Sequence, residues 1–147
     1  FDGLSAPKAQ TLPTLASLSN SSDPAVRYFS GTTTYKKVVT LGKAITGAKS
    51  VRLNLGQIGD VATVAVNGQT VGEVWRAPYA LDIGAALHAG KNTIEIKVAN
   101  LWVNRLIGDA QPGATKVTWT AAPTYTADAP LRPSGLIGPV TLDTRVD

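Results

Sequence analysis

Short runs in which every second residue is apolar constrain this chain more than any other feature. Val51, Leu53 and Leu55 alternate with Arg52 and Asn54; Ala62, Val64 and Val66 alternate with Thr63 and Ala65; Ile94, Ile96 and Val98 alternate with Glu95 and Lys97. A strand sends successive side chains to opposite faces, so a period of two buries one face and leaves the other in solvent. Asn67-Gly68 follows the second run directly and supplies residues that tolerate positive φ in a tight hairpin, predicting a return strand over Gln69 to Trp75.

The remaining strands are predicted from composition and turn signals. Thr32 to Leu41 is dense in Thr, Val and Tyr, and further strands are expected about Tyr79 to Ile83 and about Gly138 to Leu142. Only Gly84 to Gly90 reads as a helical turn, with Gly90 closing it. No strand alternates with a long helix, so the pattern points to an all-β antiparallel sandwich or barrel and away from a parallel α/β sheet. The expected architecture is a two-sheet sandwich whose buried face includes Leu53, Leu55, Val64, Val66, Ile94, Ile96, Val98 and Leu142. Residues 1–25, rich in Ser, Ala, Pro and Thr, are expected to form a lead-in segment packing on a sandwich over residues 26–147. Ala110 to Leu131 is a long stretch of Pro, Thr, Ala and Gly around Trp119 and Tyr125; an extra hairpin there would pair Lys116–Thr120 with Thr124–Thr126.

Composition narrows the chemistry. A chain of 147 residues with 44% hydrophobic and 16% charged residues suits one globular domain. With no Cys, a disulfide scaffold, a thiolate metal site and a cysteine nucleophile are excluded, and a single His leaves one imidazole for base work. No apolar run is long enough for a membrane-spanning helix. The sequence starts at Phe1 without a charged-then-apolar leader, and the chain is expected to be a trimmed piece of something longer. The net charge of +4 is spread over scattered residues, with Lys36-Lys37 the only adjacent basic pair, so neither nucleic acid nor membrane is an expected partner.

A catalytic reading would have to start from carboxylates. Only Glu73 and Glu95 are glutamates, and both alternate with apolar strand residues, the pattern of a solvated face. Asp60 follows Gly59 and reads as a turn residue, Asp82 as a cap for the turn at Gly84, and His88 as a surface residue. Asp60 and Asp143 are too isolated to nominate a calcium loop, so neither cofactor nor catalytic residue is assigned.

What remains is a set of aromatic, amide and charged residues in three turn-rich clusters. Trp75, Arg76 and Tyr79 form the first; Trp102, Asn104, Arg105 and Asp109 form the second; Arg132 lies in the third. Loops gather at the ends of a sandwich, so these eight residues are expected to meet in one region. Arg105 and Asp109, four apart and opposite in charge, fit a tight turn with the pair bridged. Aromatic faces with planar polar groups suit a carbohydrate site; the same residues suit domain docking or, with Trp102 as a core plug, sealing of the sandwich.

At these residues a family resemblance enters. Tyr28-Phe29-Ser30-Gly31-Thr32, Leu53-Asn54-Leu55-Gly56 and Val64-Ala65-Val66-Asn67-Gly68 resemble the sugar-binding β-sandwich domain of family 2 glycoside hydrolases. Trp75-Arg76-Ala77-Pro78-Tyr79, Asn100 to Asp109 and Pro133 to Val140 resemble the C-terminal sandwich of α-L-rhamnosidase-type enzymes, glycoside hydrolase family 106. The resemblance implies a galactose-binding-like jelly roll from a secreted or periplasmic polysaccharide-degrading enzyme, with acid and base in a separate catalytic domain. The partners it implies are that catalytic domain, a plant or algal glycan, or both. An autonomous carbohydrate-binding module is the alternative, and a self-sufficient small hydrolase is a third reading that the missing carboxylate pair opposes.

Overall fold

The alternating runs become the middle of a four-stranded antiparallel sheet. The computed structural model describes residues 1–145; Val146 and Asp147, the end of the expected 26–147 unit, lie outside the described residues. Nine strands are described: β1 (Gly31–Leu41), β2 (Ser50–Asn54), β3 (Gln57–Ile58), β4 (Val61–Val66), β5 (Gln69–Val74), β6 (Ala80–Asp82), β7 (Gly90–Asn100), β8 (Leu136–Gly138) and β9 (Thr141–Arg145). Three short helices join them: α1 (Pro24–Arg27), α2 (Lys43–Thr46) and α3 (Val103–Asp109). The main sheet runs β1-β7-β4-β5, the facing sheet β6-β2-β9, and β3 pairs with β8 in a two-stranded piece.

Register explains how these sheets share one core. Tyr35, Ile96 and Val64 stand side by side on β1, β7 and β4, as do Thr33, Val98 and Ala62. From the other sheet Leu53 of β2 joins them, with Leu55 just beyond it, and Leu136 of β8 closes the cluster. Each such side chain contributes about 1.5–3 kcal/mol on burial. Seven of the eight expected core residues are buried; Leu142 is half-buried and packs against the cluster from β9. The result is a sandwich of open antiparallel sheets.

Turn chemistry accounts for the hairpin. Asn67 and Gly68 take φ values of 52° and 83°, the left-handed pair that joins β4 to β5. Asp82 accepts the amide of Gly84 at 2.9 Å, capping the 3-10 turn Gly84–Ala86 that stands in place of the expected longer helical turn.

Three expectations are corrected. The last strand is two strands, because the chain is interrupted at Gly138-Pro139 and the proline has no N–H to give a ladder. Lys116–Thr120 and Thr124–Thr126 form no hairpin; this segment is held by the side chains of Asp109, the last residue of α3, and of Gln111 just beyond it. The stretch after β7 is a two-turn helix, α3, where a tight turn was expected.

Candidate functional site

The register places the aromatic clusters at one end of the sandwich. Val74 pairs with Ala62, and Ala62 pairs with Val98, so Trp75 leaves the main sheet at the end where β7 runs out into Asn100. The two are separated by β4 and the chain entering it. Trp75 and Arg76 contact each other, the guanidinium 5.6 Å from the ring centre, while Tyr79 packs half-buried against the main core. The second and third clusters are joined directly: Asn104 Nδ2 donates to the carbonyl of Arg132 at 2.8 Å, and the amide of Arg132 donates to Asn104 Oδ1 at 2.8 Å. Thus six of the eight residues fall into mutually contacting groups, Trp75 with Arg76, Asn104 with Arg132 and Arg105 with Asp109, all at the same end.

Beneath this end lies a polar clamp. Asn100 continues the inward parity of Ile94, Ile96 and Val98, and its side chain is buried. Its amide donates to the carbonyl of Gly31 and the hydroxyl of Thr33, both at 3.1 Å, and its oxygen accepts the amide of Gly135 at 2.6 Å. The same short segment is held from every side. Ser17 Oγ accepts the amide of Ser134 at 3.0 Å, the amide of Leu18 donates to the Ser134 carbonyl at 3.0 Å, and the Tyr35 hydroxyl accepts the amide of Leu136 at 3.1 Å. Burial pushes the Tyr35 phenol above its ordinary pKa, with the Leu136 amide opposing. Gly135 has φ 77°, and a Cβ there would stand 2.5 Å from the Tyr35 oxygen and 2.7 Å from Leu18 Cγ, so glycine is required twice over.

α3 carries the second layer of the clamp. Arg105 and Asp109 are 2.9 Å apart between Nη2 and Oδ1, with side chains only 14% and 6% exposed. The bridge is inside the protein, unlike the exposed pair for which a negligible energy would hold. Neither Oδ1 nor Arg105 Nε has an aligned hydrogen bond, so the contact is chiefly ionic. Asp109 Oδ2 accepts the amides of Val117 and Thr118 at 3.2 and 2.8 Å and the Thr118 hydroxyl. Burial raises the Asp109 pKa, but the Thr118 hydroxyl and amide, the Arg105 guanidinium and the Val117 amide together bring it below its ordinary value. Arg105 also lies 6.0 Å from the Tyr28 ring centre, and a side chain at Gly108 would collide with both.

Outward, the same end is apolar and open. Trp75, Trp102 and Trp119 are 68%, 67% and 85% exposed, so Trp102 is not a core plug. Beside α3 lies a cleft of about 290 Å³ lined by Gln57, Asp60, Leu101, Val103, Asn104 and Arg132, among others. Asp60 Oδ2 accepts the amide of Leu101 at 3.1 Å, tying the start of β4 to the end of β7 across the cleft.

The catalytic candidates lie elsewhere and have structural partners. Glu95 is bridged by Lys36 at 2.9 Å and Lys97 at 3.4 Å; the Lys36 hydrogen bond holds its carboxyl below the ordinary range. Glu73 accepts from Thr63, Asp82 from Ser50, and His88 is exposed with its ring on the Ala89 carbonyl. Among the described residues no group of three or more His, Asp or Glu is arranged to hold a metal ion.

Sequence reasoning missed Asn100, Ser134, Gly135 and the bridging role of Asp60. One signal was available: a buried-parity asparagine at each end of the Ile94–Val98 row. In the sequence Asn100 stands out only as the start of a motif, and Asp60 only as a turn residue.

Comparison with known proteins agrees with this architecture. Residues 12–132 match the family described as glycosyl hydrolase 2 galactose-binding domain-like. The structure of a rhamnosidase from Novosphingobium sp. PP1Y superposes with a TM-score of 0.90 and 57% identity, covering 95% of this chain and 13% of that one. A beta-glucuronidase structure from Bacteroides uniformis gives 0.56 at 22% identity over 92% of this chain and 14% of that one, a likeness of fold alone. Among curated sequences, a Formosa agariphila protein named as a beta-glucuronidase is 31% identical over 90% of this chain and 14% of its own length. The chain therefore belongs to the glycosyl hydrolase 2 galactose-binding domain-like family, and it spans only a small part of the enzymes it matches.

Proposed function

We propose that this family member is a non-catalytic accessory module of an α-L-rhamnosidase-like glycoside hydrolase of family 106, set toward that enzyme's C-terminus. The close match to a small part of a rhamnosidase carries the reading. The module adopts the jelly-roll form of the sandwich, works without a cofactor, and acts outside the cytoplasm, in the periplasm or medium, on plant or algal polysaccharide.

Its task is to seat the catalytic domain against the end that carries Trp75 and Trp102. Large exposed aromatics beside arginines are the groups that dominate protein interfaces, and the buried clamp beneath gives them a stiff base. Glu73, Asp82 and Glu95 have structural partners, and the acid and base of hydrolysis come from the catalytic domain. Two assays test this. The purified chain leaves aryl-rhamnosides unhydrolysed, and it associates with a family rhamnosidase from which the equivalent module has been deleted. Turnover by the chain that vanishes in Glu73→Gln or Glu95→Gln overturns the non-catalytic reading, and failure to associate overturns the docking role. The alternative, an autonomous carbohydrate-binding module, is favoured by one observation, the open cleft beside α3.

A further inference from the structure

We infer that the cleft beside α3 is a binding subsite for one neutral pyranose ring, recognised by Asp60, Gln57 and Arg132 over an apolar wall of Leu101 and Pro133. The inference deepens the module reading and rests on it for the class of ligand, a glycan.

The cleft is built from three separate parts of the chain: residues 57–60, the stretch carrying Leu101, Val103 and Asn104, and residues 132–134. All are locked in place. Asp60 is tied to Leu101, Asn104 to Arg132, and Ser134 to Ser17. The shape is therefore fixed before any ligand arrives, and preorganisation lowers the cost of binding. Its volume, about 290 Å³, lies at the small end of ligand clefts and suits a single ring in place of an extended chain.

Unused polar capacity faces this space. Asp60 spends Oδ2 on the Leu101 amide, and among the described residues Oδ1 takes no protein donor. Gln57 and Arg132 are exposed, and among the described residues their side chains have no hydrogen-bond or ion-pair partner. A carboxylate oxygen, an amide and a guanidinium complement vicinal hydroxyls, which both donate and accept. The wall opposite is apolar: Leu101 is 47% exposed, Pro133 is exposed, and the buried Ile58 and Val103 lie behind them. C–H faces of a sugar ring pack on such a wall. Asp60 inside the cleft disfavours an anionic sugar, while Arg132 at the rim is screened by solvent, so the ring is neutral.

The test is ¹⁵N-¹H NMR titration of the intact chain with methyl α-L-rhamnopyranoside, set against methyl β-D-glucuronide. The expected result is saturable millimolar binding of the neutral glycoside, with shifts concentrated at residues 57–60, 101–104 and 132–134. Asp60→Asn keeps an acceptor for the Leu101 amide and weakens binding about 10-fold or more. Glu73→Gln, on the exposed face of β5, leaves affinity unchanged. Absence of saturable shifts, shifts confined to other residues, or tighter binding of the glucuronide overturns the inference. The association and turnover assays never involve Asp60, so their failure with cleft binding intact defeats the module reading alone, and the converse defeats the subsite alone.

Discussion

Strand β7 carries a buried asparagine near each of its ends, and the two ends behave differently. Asn92 and Asn100 bracket Ile94, Ile96 and Val98 on the inward parity, and both are buried. Asn92 accepts the His88 amide at 3.0 Å, donates to the carbonyls of His88 and Gly90, and accepts from Asn67 of the hairpin. Most of its partners lie within four residues in sequence. Asn100 instead reaches Gly31, Thr33 and Gly135, which are 69, 67 and 35 residues away. The first asparagine shapes a local turn; the second fastens distant segments into a base for the exposed tryptophans. The difference teaches that one end of this sandwich is closed by its own loop, and the other is held rigid so that it can present groups outward.

The sharpest way to break this comparison is at the crowded glycine. Gly135→Ala forces a Cβ into the Tyr35 hydroxyl and Leu18 and requires an unfavourable φ; we expect a loss of about 3–5 kcal/mol in denaturant unfolding. Asn100→Ala strands the buried Gly135 amide and is expected to cost about 3 kcal/mol. Asn92→Ala is expected to cost less, about 1–2 kcal/mol, because the freed groups of His88, which is exposed, and of Gly90, which is half-buried at the start of β7, can be reached by water. Equal losses for the two asparagines would remove the distinction between the ends.

Acid sharpens the contrast further. The Asp109 carboxyl is held below its ordinary pKa in the fold, so the stability it supplies is present above the unfolded value of about 4 and is lost as pH falls through the lower, folded value. Asp109→Asn is expected to flatten that part of the pH dependence of unfolding, read by circular dichroism between neutral and strongly acidic buffer. Trp102→Ala is the smallest effect: the ring is 67% exposed, and the expected change in stability is within about 0.5 kcal/mol. A large loss there would restore Trp102 as a core plug.

How much of this was legible in the sequence follows the range of each interaction. The Asn67-Gly68 turn and the alternating core were readable because their rules act over two to four residues. Arg105 and Asp109 were paired by spacing, yet their burial was hidden, since it depends on Tyr28 and Thr118 packing from elsewhere. The clamp was illegible for the same reason: nothing near Asn100 in sequence names Gly31 or Gly135 as its partner. The missing hairpin at residues 116–126 failed because its strand-like composition was outweighed by side-chain anchoring, Asp109 holding Thr118 and Gln111 holding the Ala127 carbonyl at 2.8 Å. Polar residues on a core parity at strand ends are the sequence signal worth reading.

All three tryptophans make the open end directly observable. Trp75 and Trp102 leave the sheet there and Trp119 follows the Thr118 anchor on α3, whereas the hairpin end at Asn67 and His88 carries none. The measurement is intrinsic tryptophan fluorescence of the chain during titration with a family rhamnosidase lacking the equivalent module, its own emission subtracted. The account predicts a saturable blue shift as the exposed rings are covered, abolished in Trp75→Phe with Trp102→Phe while folding is retained. Association that leaves the emission unmoved, with protection from hydrogen exchange appearing instead around Asn67 and His88, would contradict it.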